Sequence, residues 1–100
     1  MEMRVDRFPL ILFGPEKATE YKITVPEGSR FLKALAFNDG IYAYYEIPEL
    51  QVSNFHTDVF FIPGSPQDSI PDGYMFIDII TVIVQTKSGE ATLVLVIYKK

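Results

Sequence analysis

The stretch "FIDIITVIVQTKSGEATLVLVIY", residues 76–98, decides the fold. Lys87, Ser88, Gly89 and Glu90 divide it into two apolar runs rich in β-branched residues, which pack well on a pleated surface and lose rotamer freedom in a helix. With side chains alternating from face to face, Ile77, Ile79 and Ile83 share one side of the first run. Phe76, Ile80, Val82 and Val84 share the other, and "TLVLVIY" has no polar side at all. Strands with two apolar faces are expected to be central and covered on both sides. A two-residue turn at Ser88-Gly89 would place Lys87 opposite Glu90 and Asp78 opposite Lys99, two opposite-charge pairs from one register. Because a two-layer sandwich covers only one face of each sheet, the second face calls for a loop or another subunit.

The rest of the chain has the same grammar. Extended segments at 3–13, 19–25, 30–38, 41–47, 57–63, 74–86 and 91–98 are separated by "GPEKA", "PEGS", "NDG", "PELQVSN", "IPGSPQDSIPDG" and "KSGE". No segment holds a helical period over three turns. The pattern predicts one all-β domain over 1–100, a small antiparallel β-sandwich or partly open barrel of about seven strands. Pro9 cannot donate to a ladder, so the first strand is expected at an edge or broken there. Tyr21, Ile23 and Val25 form a core face opposite a wet face of Glu20, Lys22 and Thr24. Likewise Ile41, Ala43, Tyr45 and Ile47 read as core, and Tyr42, Tyr44 and Glu46 as the outer side.

A 100-residue domain buries only about two thirds of its unfolded surface, yet 48% of this chain is apolar, with six Tyr and eight Phe. That surplus predicts either an unusually full core or a second apolar face covered by a partner, and a homo-oligomer is the expectation taken forward. A net charge of −4 argues against general nucleic-acid binding, which needs clustered cations to displace counterions, and against an anionic membrane surface. No run reaches the ~20 apolar residues that span a bilayer. "MEMRVDRFPL" lacks the apolar region of a signal peptide. With no Cys, disulfides, thiolate chemistry and Cys-ligated zinc are excluded.

Chemistry-bearing residues are sparse. The single His, His56, shares a strand face with Asp58, and Ser53 lies nearby, a base-plus-orienter pattern; a histidine beside a strand-starting carboxylate at a loop edge is the plainer expectation. One His without Cys gives no metal spacing, so no catalytic residue, metal or cofactor is expected. Asp78 is the one carboxylate set within an apolar strand, with Lys99 as its expected partner. The loop before residue 76 carries three prolines, each removing an N–H that a phosphate cradle would use. Ile62 and Ile70 are expected to pin it to the core. As a pre-stiffened recognition loop it would present Ser65, Gln67, Asp68, Asp72 and Tyr74.

The most suggestive surface is aromatic. An Asp39-Gly40 turn would set Lys33 opposite Glu46 and Phe37 opposite Tyr42, gathering Arg30, Lys33, Phe37, Tyr42, Tyr44 and Glu46 into a candidate binding surface. A bulged alternative would send the Phe residues to the core and leave Tyr42 and Tyr44 with Leu32. Faces of this composition are enriched at protein interfaces.

"KITVPEGSRFLKALAFNDGIYAYYEIP", with "VFFIPGSPQDSIPDGYMFIDIITV" and the terminal apolar strand, resembles a family of small, mostly uncharacterised proteins of tailed phages. The Pro-x-Gly turn is matched by Pro26, Glu27 and Gly28, and a later turn glycine by Gly64, over about residues 21–98. Tyr44 and Tyr45 stand where that family usually has Trp, its Thr-Gly pair is not evident near Gly64, and its terminal His-aromatic pairing is absent. The resemblance implies a β-structured phage accessory protein and brings no catalytic residue; with no signal-peptide pattern or apolar span, the expected location is the cytoplasm of the infected cell. The expected function is binding and inhibition of a host protein, plausibly in counter-defence. A sponge for a nucleotide signal, with Tyr stacking on a base and Arg30, Lys33 or Lys22 on phosphates, and a virion or assembly component are the alternatives.

Overall fold

The computed structural model describes residues 2–12, 20–50, 53–64 and 68–100. Seven strands form: β1 (Met3–Leu12), β2 (Glu20–Pro26), β3 (Arg30–Phe37), β4 (Gly40–Pro48), β5 (Phe55–Phe61), β6 (Met75–Thr86) and β7 (Gly89–Lys99). They lie in two antiparallel sheets, β1-β4-β3 and β2-β5-β7-β6. The fold is all-β, and the described strands close into no barrel.

The three-stranded sheet is built around β4. Its alternation comes out as expected: Ile41, Ala43, Tyr45 and Ile47 point inward and are buried. Ile23, Val25, Phe60, Ile80, Val82 and Ile97 of the opposite sheet meet them in one apolar cluster. Removing such side chains from water stabilises by about 1.5–3 kcal/mol each for Val, Ile or Phe. Phe8 and Phe31 flank Tyr45 edge-on at 5.6 and 5.8 Å, so the buried phenol ring is fixed from both neighbouring strands. β1 is an edge strand, and its ladder with β4 slips between Pro9 and Ile11, where the proline lacks its donor.

Turn chemistry shifts both hairpin registers. β3 and β4 join through Asn38-Asp39, with Phe37 opposite Gly40, rather than through Asp39-Gly40. Gly40 is needed for close approach: a Cβ there would lie 2.1 Å from the Ile11 carbonyl oxygen. Consequently Leu35 faces Tyr42 and Lys33 faces Tyr44. A slip between Phe31 and Lys33 then turns Phe31 inward and sets Arg30 opposite Glu46. In β6–β7 the turn is Lys87-Ser88, with Thr86 opposite Gly89 and Gln85 opposite Glu90. Gly89 takes φ +121°, a conformation side-chain-bearing residues avoid. A bulge between Phe76 and Asp78 sets Asp78 across from Ile97, so the expected Asp78–Lys99 pair does not form.

The two-face burial expected of β6 and β7 is also corrected. β6 is an edge strand, and β7 reaches β5 only through Phe60↔Lys99 and Phe61↔Tyr98. The hairpin's inner face buries Ile80 and Val82, while Ile79, Ile83 and Val94 on its outer face are more than half exposed. The short β5–β7 ladder staggers the halves of this sheet, giving a molecule 50 Å long but only 30 × 21 Å across.

Candidate functional site

The outer face of β1-β4-β3 assembles the predicted aromatic surface and adds a member. Tyr42, Tyr44, Phe37, Leu35 and Lys33 lie on it by strand alternation, with Arg30 and Glu46 beyond the bulge. Phe37 meets Tyr42 edge-on at 5.4 Å and Tyr44 at 6.5 Å. Arg7 comes from β1, opposite Tyr44, and its guanidinium carbon lies 4.8 Å from the Phe37 ring centre and 4.4 Å from that of Tyr42. A cation over two rings at this range is held by both π-faces. The sequence reading did not single out Arg7; which neighbour β1 takes is a long-range choice that no local pattern marks. The Tyr42 hydroxyl donates to Asp39 Oδ2 at 2.8 Å, and this bond raises its pKa above the ordinary tyrosine value, with some help from burial.

The other members of the predicted surface are tied to its rim. Arg30 reaches Glu46 Oε1 at 3.3 Å. Lys33 turns away from Glu46 toward the neighbouring sheet, bonding Asp78 at 3.1 and 3.2 Å. Asp78 also accepts the Ala34 backbone N–H at 2.9 Å. Its carboxylate thereby replaces the strand that β3's edge lacks and fastens the two sheets together, a role that follows from Asp78 sharing the inner face with Ile80 and Val82.

The predicted recognition loop is less unified. Ser65 and Gln67 lie outside the described residues. Asp68 accepts the Gly64 N–H at 3.0 Å, and Asp72 is exposed. Tyr74 is half-buried, 5.6 Å from Phe61, and donates to Glu20 at 3.3 Å. Burial first, then Glu20, raises its pKa. Ile62 is buried and Ile70 half-buried, as pins should be.

A second cluster centres on Asp58, which is 8% exposed and accepts the Tyr45 hydroxyl at 2.5 Å. Its other oxygen lies 3.3 Å from both His56 Nε2 and Lys99 Nζ. Burial, reinforced by Asp58, pushes the Tyr45 phenol far above its usual pKa. His56 does share a face with Asp58, but its Nδ1 is 3.6 Å from Glu27, so carboxylates flank both ring nitrogens. That arrangement holds the ring between two carboxylates. The sequence hid this hub because Tyr45 and Lys99 arrive from distant strands. Among the described residues no group of three or more His, Asp and Glu is placed to hold a metal ion, and no helix is long and apolar enough to cross a membrane. Comparison with protein-family models, curated proteins and solved structures finds no match.

Proposed function

We propose that the protein is a non-catalytic binding module that engages a partner protein through the outer face of β1-β4-β3. The observation carrying this reading is Arg7 stacked over Phe37 and Tyr42 on an open sheet face. Arg and Tyr dominate the few residues that carry most binding energy at interfaces, and aromatic rings lose little rotamer entropy on docking. A guanidinium presents a planar fork of N–H donors, which suits a partner carboxylate bordered by apolar surface. The resemblance over residues 21–98 supplies the setting: a phage accessory protein in the host cytoplasm, inhibiting a host protein. A nucleotide sponge stacking bases on this face is less well supported, since Arg7 already covers two of its rings. A virion role draws on no feature of the face. The exposed side of β6–β7 is assigned to contact with further copies of the chain.

The test is affinity capture from host lysate with full-length protein, comparing wild type, Arg7→Glu, Tyr44→Ala and a Lys22→Ala control. One stoichiometric partner is expected, lost with the first two variants and retained with the control. Failure of wild type to retain any partner, or equal capture by all four proteins, defeats the proposal.

A further inference from the structure

Beside the Asp58 cluster a cavity of about 320 Å³ opens between the sheets. Phe31 and Ile77 form apolar walls; Ser29, Arg30, His56 and Lys99 bring polar ones, with Asp58 among them. The hydrogen-bonding capacity left inside is one-sided. Asp58, the only carboxylate among the described lining residues, is engaged on both oxygens by Tyr45, His56 and Lys99. Donors, by contrast, are in excess. Arg30 has five N–H groups and, among the described residues, one acceptor, Glu46. Lys99 has three, directed to Asp58 and, at 3.4 Å, to the Lys100 carbonyl. The Ser29 hydroxyl is buried with no hydrogen-bond partner among the described residues.

The position of these cations adds to the case. In a chain of net charge −4 with nine Lys and Arg, two of them and the only His converge here from β3, β5 and β7. The Lys99 and His56 side chains are only 27% and 31% exposed, so solvent screens them less than surface charges. A neutral or cationic guest would leave the spare donors desolvated and unpaired; a guest rich in acceptors would satisfy them. Glu27 and Glu46 sit behind His56 and Arg30 and moderate the positive potential.

We propose that this cavity binds a small oxyanion-headed molecule: a carboxylate or phosphate monoester on a compact apolar body. Arg30 and Lys99 hold the head group, and Phe31 and Ile77 pack on the body. The volume lies at the low end of the roughly 300–1,000 Å³ of small-molecule sites, so one ring fits and a dinucleotide does not. This site shares Arg30 with the rim of the aromatic face but none of its rings nor Arg7, so the Arg7→Glu and Tyr44→Ala variants leave it intact and the two readings fail separately.

Phenyl phosphate and benzoate, titrated separately into the intact protein under amide-resolved NMR, test the proposal. Saturable shifts are expected at Ser29, Arg30, His56 and Lys99, with Kd of about 0.1–1 mM. Benzyl alcohol, which has the ring without the charge, should produce none. Arg30→Gln alters a side chain 70% exposed, so the fold is retained, and it should weaken binding roughly fivefold or more. Lys22→Gln should change nothing. Tighter binding of one probe identifies the head group. Absence of saturable shifts at about 20 mM probe, equal response to benzyl alcohol, or unchanged affinity in Arg30→Gln overturns the site.

Discussion

β4 and the β6–β7 hairpin are both largely apolar, yet they end in different environments. β4 has a strand on each side and a sheet above it, and its inward residues Ile41, Ala43 and Tyr45 are wholly buried. β6 has one neighbour, and the three-stranded sheet opposite covers only its inner face, leaving Ile83 64% exposed. Apolar content is thus a poor guide to burial at the level of a single strand. Position in the sheet decides it: a central strand is sheltered by its neighbours, whereas an edge strand with two greasy faces offers one of them to something else.

The largest effect that separates the regions is a core truncation. Ile41→Ala should cost about 3–4 kcal/mol in denaturant unfolding, the transfer loss plus the cavity left in a closely packed layer. A loss below about 1 kcal/mol would mean that this layer collapses around the gap and is no better packed than the hairpin.

Next comes the polar group buried beside β4. Tyr45 keeps its proton in the folded protein at pH values where the unfolded chain loses it, because burial and Asp58 raise its pKa. A raised folded-state pKa contributes stability that is complete below the unfolded value and lost as pH climbs toward the folded one. Wild type should therefore lose roughly 1.4 kcal/mol per pH unit above about pH 10 from this group alone. Tyr45→Phe, less stable at neutral pH, should show a shallower alkaline decline by that amount. Parallel melting curves for the two proteins from pH 9 to 11.5 would contradict the assigned hub.

How much of this was legible follows the same division. The seven strands, the core stripe of β4, the wet face of β2 and the edge placement of Pro9 depend on local alternation and turn residues, and the sequence displays those directly. The outer membership of Tyr42 and Tyr44 was legible for the same reason. Registers were not, because neither turn used the residue pair its composition suggested: Gly40 is required by Ile11 and Gly89 by its own backbone angle. Arg7 on the aromatic face, Lys99 on Asp58 and Lys33 on Asp78 each depend on pairings between strands far apart in sequence, which no local pattern encodes.

Asp78 tests the seam where the two regions meet. Asp78→Ala removes the acceptor of the Ala34 N–H and the partner of Lys33, and should cost about 1–3 kcal/mol. Because β3's edge is then uncapped, hydrogen exchange at Ala34 should accelerate more than at Ala43. Uniform acceleration across both strands would show that Asp78 stabilises the whole fold rather than its seam.

The smallest change in protomer stability is expected at the hairpin's outer face. Ile83→Ser exchanges an exposed apolar side chain for a polar one, and in dilute protein it should alter unfolding free energy by no more than about 0.5 kcal/mol. Its effect should appear in mass instead. Outer-face residues from Ile79 to Ile83 are uncharged, so two copies can meet there without like-charge repulsion, and β6's free backbone edge adds a second means of association. Light scattering across a concentration series should show wild type moving to a larger species and Ile83→Ser remaining smaller. A wild type whose mass is that of one chain throughout, with Ile83→Ser indistinguishable from it, would mean the exposed hairpin is tolerated bare, and the contrast with β4 would then describe packing alone.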